Sequence, residues 1–141
     1  MKEKRLVIKR WICMVCVVFC LFSLVGCQAK TEGTALLPAG EISSVRVFSQ
    51  PDYYDCFYYG VHAKPVVEYL ERLTLQSNFD ENPDEHDGMT IKIIVVYEDG
   101  QEFTIYHFGN KFIRTENSDW YKMDYAEAVQ LEEILAEKQS Q

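Results

Sequence analysis

The residues able to do chemistry are few and scattered. Asp80, Asn82 and Asp84 stand at positions one, three and five of a calcium-loop pattern, a spacing that lets alternate side-chain oxygens converge on a hard cation. The pattern then breaks. Position six, where Gly makes the sharp turn, is Glu85, and position twelve, where a bidentate Glu closes the coordination shell, is Ile91. His62, His86 and His107 are the only imidazoles, and no two stand at a helical or short Cys/His spacing that builds a zinc site. A Gly-x-Ser-x-Gly elbow, a phosphate loop and a His-Glu-x-x-His pair are missing from the chain. Neighbouring carboxylates follow from acidic composition, and no spacing here sets the fixed ~5–10 Å separation a glycosidase needs. The expectation is therefore no catalytic residue, no metal and no cofactor, with a small envelope hydrolase or metal-dependent enzyme as the alternative.

The cysteines do a different kind of chemistry. A basic start with Lys2, Lys4, Arg5, Lys9 and Arg10 leads into an uncharged run of 16 residues, Trp11 to Gly26, that holds Cys13, Cys16 and Cys20. The run is shorter than the ~20 apolar residues of a membrane-crossing helix and suits a signal-peptide core. It ends in Leu24-Val25-Gly26-Cys27, where small Val25 and Gly26 leave the backbone open to a peptidase and the Cys27 thiol is the nucleophile that can take a diacylglyceryl group. This tetrapeptide resembles the bacterial lipobox. The resemblance implies a leader over residues 1–26 that is removed, and Cys27 acylated as a palmitate-type anchor at the extracytoplasmic face of the cell membrane. Cys56 is then the remaining thiol, and its setting in Tyr54-Asp55-Cys56-Phe57-Tyr58 reads as a buried strand position.

The whole chain carries a formal charge of −8. Without residues 1–26 it holds 9 basic and 21 acidic residues, a net charge of −12. Such a surface repels nucleic acid and anionic head groups and gains no counterion release from them. Beyond the membrane anchor, the expected partners are an envelope protein, a basic peptide or a glycan, with no nucleic acid.

Residues 28–40 mix small and polar residues with Gly33, Pro38 and Gly40 and read as a flexible tether, leaving a single domain over 41–141. Val45 and Val47 alternate with polar residues, and Cys56 to Tyr59 follows the Pro51-Asp52 turn, predicting a hairpin. Val66, Val67, Leu70 and Leu73 after Pro65 predict a helix over 65–75. Ser77 to Gly88 is acidic, poor in apolar residues, and reads as a loop. Ile91, Ile93, Val95 and Tyr97 share one face of a strand that meets the turn Glu98-Asp99-Gly100. With Gly100 at positive φ this turn aligns Val95 with Phe103 and Ile93 with Ile105. Turns at Gly109-Asn110 and 116–119 complete a four-strand meander. Asp124 with Glu127 then makes a capping box for a helix over 125–137 striped by Ala128, Leu131, Ile134 and Leu135. The predicted fold is α+β, in the order β-β-α-β-β-β-β-α, a mainly antiparallel sheet packed on one face by two helices.

The second half, Tyr97-Glu98-Asp99-Gly100 through Asn110-Lys111-Phe112-Ile113-Arg114 to Trp120-Tyr121-Lys122, is similar in pattern to small lipoproteins common in Firmicutes. That resemblance implies fold and location and carries no functional residue across.

Two helices covering one face leave the other open. Alternation places Thr90, Lys92, Glu102, Thr104, Tyr106 and Phe108 there, and His107 at the edge of the apolar face. Tyr106, Phe108 and Tyr121 are the expected binding residues, with Trp120 expected in the core. A non-catalytic binding module is the favoured reading.

Overall fold

The computed structural model describes residues 35–139, and the leader and Cys27 lie outside them. Strands β1 (Ile42–Gln50) and β2 (Asp55–Tyr59) form the expected hairpin, with Val45 opposite Tyr58 and Val47 opposite Cys56. Its turn is organised by Ser49, which is fully buried. The Ser49 hydroxyl donates to the Pro51 carbonyl at 2.7 Å and accepts from the N–H groups of Tyr53 and Tyr54 at 2.9 and 3.0 Å, so the buried polar group is satisfied. Helix α1 (Lys64–Arg72) carries Pro65 in its first turn and buries Val66, Tyr69 and Leu70. Next come β3 (Leu75–Gln76), β4 (Thr90–Tyr97), β5 (Glu102–Phe108), β6 (Phe112–Thr115) and β7 (Tyr121–Met123), then α2 (Tyr125–Ala128) and α3 (Gln130–Gln139). All strand pairs are antiparallel, in one sheet ordered β2-β1-β4-β5-β6-β7-β3. The fold is α+β.

The register argued from the turn is the register found. Val95 pairs with Phe103 and Ile93 with Ile105, and Gly100 sits at φ 83°, its N–H bonded to the Tyr97 carbonyl at 2.9 Å. Ile91, Ile93, Val95, Ile105 and His107 consequently face the helices and are buried.

Three expectations are corrected. The helix expected to reach 75 ends at Arg72, because Leu73 turns out at φ −58°, ψ 131° and Leu75 pairs with Met123 as an edge strand. The buried-exposed-buried run Leu73-Thr74-Leu75 is a two-residue period that helical spacing had absorbed. The capping box is half made: Asp124 Oδ1 accepts from the N–H groups of Ala126 and Glu127 at 2.9 and 3.2 Å. Glu127 instead takes the Thr74 N–H at 2.6 Å and the Thr74 hydroxyl at 3.0 Å, tying the α1–β3 joint to α2. The tether is also shorter at its far end. Leu36 is 4% exposed in the core, and the Pro38 carbonyl accepts from Tyr97 Oη at 2.8 Å.

One polar chain crosses this core. Tyr69 Oη donates to the Ala128 carbonyl at 3.3 Å and lies 3.0 Å from His107 Nε2, joining α1, α2 and β5. With the phenol proton given to Ala128, the network assigns the imidazole proton to Nε2, leaving Nδ1 buried with no hydrogen-bond partner. His107 is fully buried, further in than the sheet edge expected for it. Burial pushes its pKa down to about 4, and Tyr69 is pushed up from its ordinary value by burial and then by Glu127.

The sign of the pH effect follows. The folded state keeps His107 neutral while the unfolded chain takes up a proton near pH 6.5, so stability falls as pH drops from about 6.5 towards 4. At about 1.4 kcal/mol per pH unit the loss approaches ~3 kcal/mol. His107→Gln should lower stability at pH 7 yet flatten its dependence between pH 6.5 and 4.5, read by urea unfolding at several pH values. An equal slope in wild type and variant refutes the assignment.

Candidate binding face

The face of the sheet away from the helices is built from the alternate residues of each strand. On β1 these are Arg46 and Phe48, on β2 Phe57 and Tyr59, on β4 Lys92 and Ile94, on β5 Thr104 and Tyr106, and on β6 Arg114. The pairing places them in rows across the strands. Phe48 is opposite Lys92, Lys92 opposite Tyr106, and Tyr106 opposite Arg114. Cations therefore alternate with rings. Arg46 Cζ lies 5.2 Å from the Phe48 centroid and 6.0 Å from that of Phe57. Lys92 Nζ lies 5.7 Å from both Phe48 and Tyr106, and Arg114 Cζ lies 5.1 Å from Tyr106 and 4.8 Å from Trp120. These separations are within the range of cation–π attraction.

The cations differ in what else they touch. Arg46 Nε is 3.3 Å from Asp55 Oδ1, an exposed ion pair across the β1–β2 hairpin. Lys92 and Arg114 have no carboxylate within 4.0 Å among the described residues. Arg114 Nε is also buried without an acceptor. At the outer edge, Phe57 and Tyr59 stack at 4.9 Å with planes 21° apart and are 43% and 63% exposed.

The other end of this face is covered by the acidic loop, which carries more packing than its composition suggested. Phe79 and His86 lie over Phe112 with centroids 5.5 and 5.2 Å away, and Phe112 is fully buried. Glu81 holds the loop down through Lys122 at 2.8 Å and Lys111 at 2.9 Å. Hydrogen bonds from Lys122 and then Lys111 hold its carboxyl at about 2, well below the usual carboxylate range. Gly88 lets the loop cross the β5–β6 turn, since a Cβ there would stand 2.8 Å from Gly109 Cα.

Of the residues expected to bind, Tyr106 and Phe108 stand on this face and Tyr121 does not. Tyr121 pairs with Ile113, which is fully buried under the helices, and packs half-buried against the same core. Trp120 stands on the open face instead, its centroid 6.2 Å from Phe108 and 6.5 Å from Phe112. Tyr121 and Met123 alternate with Lys122, and Met123 pairs with buried Leu75, so the apolar parity of β7 belongs to Tyr121 and not to Trp120. Arg46, Phe48 and Arg114 were the residues missed, because their neighbourhood exists only once the strand order is known.

Other candidate chemistry is placed as follows. Cys56 is buried on the helix side of β2, as its flanks suggested. Asp80, Asn82 and Asp84 do not converge; Asn82 Oδ1 accepts from the Asp84 N–H at 3.2 Å, capping a short turn at Pro83–Glu85. No group of three or more potential metal ligands occurs among the described residues.

Phe112→Ala should cost about 3–5 kcal/mol, because it opens a cavity where sheet and loop meet, and should speed protease cleavage within 77–88. Trp120→Ala should cost less, since Trp120 is only partly buried where Phe112 is fully so. Urea unfolding of both variants decides, and a larger loss for Trp120→Ala contradicts the packing described. No family model matches this chain, and neither a curated protein nor a solved structure shows significant similarity to it.

Proposed function

We propose that this chain is a membrane-anchored extracytoplasmic lipoprotein whose domain binds a partner through the open face of its sheet and performs no catalysis. The observation that carries the reading is the row Phe48-Lys92-Tyr106-Arg114, with two cations that meet rings but no carboxylate. Unpaired cations and half-exposed aromatics on a rigid sheet are the material of recognition surfaces. The packed His107 and Cys56 offer nothing to a substrate in solution, being sealed inside. The net charge had favoured a basic peptide, but Lys92 and Arg114 have no carboxylate within 4.0 Å among the described residues and fit an acidic or neutral partner better. No helix among the described residues is long and apolar enough to cross a membrane, so attachment in this reading is the work of the Cys27 lipid.

Mass spectrometry of the mature N-terminus should find an acylated Cys27 with residues 1–26 removed, and Cys27→Ser should release or misprocess the protein. An unmodified wild-type chain that keeps residues 1–26 refutes the anchor. For the face, a photo-crosslinking residue at Thr104 in living cells should form an adduct that is lost when Lys92 and Arg114 are both changed to Gln. The same probe at Glu68, on α1, should not. An absence of adduct from position 104 refutes the binding face.

A further inference from the structure

We infer that the open face takes a glycan chain carrying spaced carboxylates, with the charged groups held by Lys92 and Arg114 and the sugar between them crossing Tyr106. This rests on the binding reading above and names its ligand. Three observations converge on it.

The first is charge. In a domain this acidic, Lys92 and Arg114 have no carboxylate within 4.0 Å among the described residues. The Arg114 guanidinium is sandwiched at 5.1 and 4.8 Å from Tyr106 and Trp120, so its plane is set by stacking before any ligand arrives. A planar fork held in this way matches a carboxylate in two-pronged fashion.

The second is spacing. Lys92 on β4 and Arg114 on β6 flank Tyr106 on β5, which puts the two strand positions roughly 10 Å apart at two strand spacings. A chain with one carboxylate on every second sugar presents its charges at about the separation of these cations. The intervening pyranose then crosses the outer edge of the Tyr106 ring, between the two cations that lie over it.

The third is shape. The row is a side-chain surface, and a peptide laid across it finds no backbone N–H or C=O to pair with, since those point along the sheet and are satisfied by neighbouring strands. A sugar chain brings no backbone requirement of that kind, and its hydroxyls meet Thr104 and water. Single-stranded nucleic acid also stacks on rings, but it carries a charge on every unit, more than two cations offset against a domain near −12.

The test is calorimetric titration of the full-length protein in detergent at low ionic strength with four probes of matched length. These are hyaluronan hexasaccharide, neutral chitohexaose, hexaglutamate and hexathymidylate. The hyaluronan fragment should bind most tightly and weaken with salt. Lys92→Gln and Arg114→Gln should each lower its affinity about tenfold, the scale of one charge-assisted contact. Arg114→Lys should fail to restore it, and circular dichroism should show each variant folded. Equal binding of chitohexaose overturns the role of charge. Tighter binding of hexaglutamate or hexathymidylate, lost in the same variants, overturns the glycan and leaves the binding face standing. If none of the four binds, the glycan inference fails, and the crosslink from Thr104 then decides whether the binding face fails with it.

Discussion

The turn at Glu98-Asp99-Gly100 sets the register of β4 and β5, the central pair against which the rest of the sheet is aligned. Gly100 takes a backbone conformation, φ 83°, that side chains resist, and the Tyr97 N–H closes on the Gln101 carbonyl at 2.9 Å. A slip of one residue between β4 and β5 would put the even residues of β4 on the face of Ile105 and His107, turning Lys92 under the helices and exposing Ile93. An unpaired lysine in that core carries a desolvation cost far larger than any single contact supplies. The register is thus enforced from both faces, by what must be dry on one and what must stay wet on the other.

The two faces are stabilised by different physics. On the helix side, largely aliphatic residues surround the chain His107–Tyr69–Ala128, which fixes how α1 and α2 meet the sheet by giving three polar groups one shared arrangement. On the open side, a smaller aromatic cluster about Phe112 is closed by a loop that charge alone would hold away from the sheet. Glu81 resolves that conflict by taking Lys111 and Lys122 together. In doing so it removes those two cations from the open face, so the positive character there falls to Lys92 and Arg114.

How much of this was legible follows from what period and turn chemistry encode. Alternation in β4 and β5 is uninterrupted and the turn residue is Gly, so strands, register and inward face could all be read. Helix α1 was legible as a helix but not in its end, because Leu73 and Leu75 serve equally as the tail of a helical stripe or the start of a strand. The short β7 has three residues, too few to fix its own parity, and Trp120 and Tyr121 exchanged places as a result. Phe79 and His86 looked isolated among acids because their partner, Phe112, lies more than twenty residues onward in the chain. The cation–ring row joins residues from four strands, and no window of sequence contains it.

The burial of Leu36 has a consequence for reach. If Cys27 carries the lipid, eight residues, 28–35, lie between it and Leu36, the first packed side chain of the domain. Covalent geometry limits such a segment to roughly 30 Å when fully extended. A domain of this size has a radius of gyration of ~13 Å, which with that reach keeps its centre within roughly 45 Å of the head groups. On that anchored reading, a ligand of the open face would be one found within that height of the membrane, as a polymer threading the innermost layer of the envelope is.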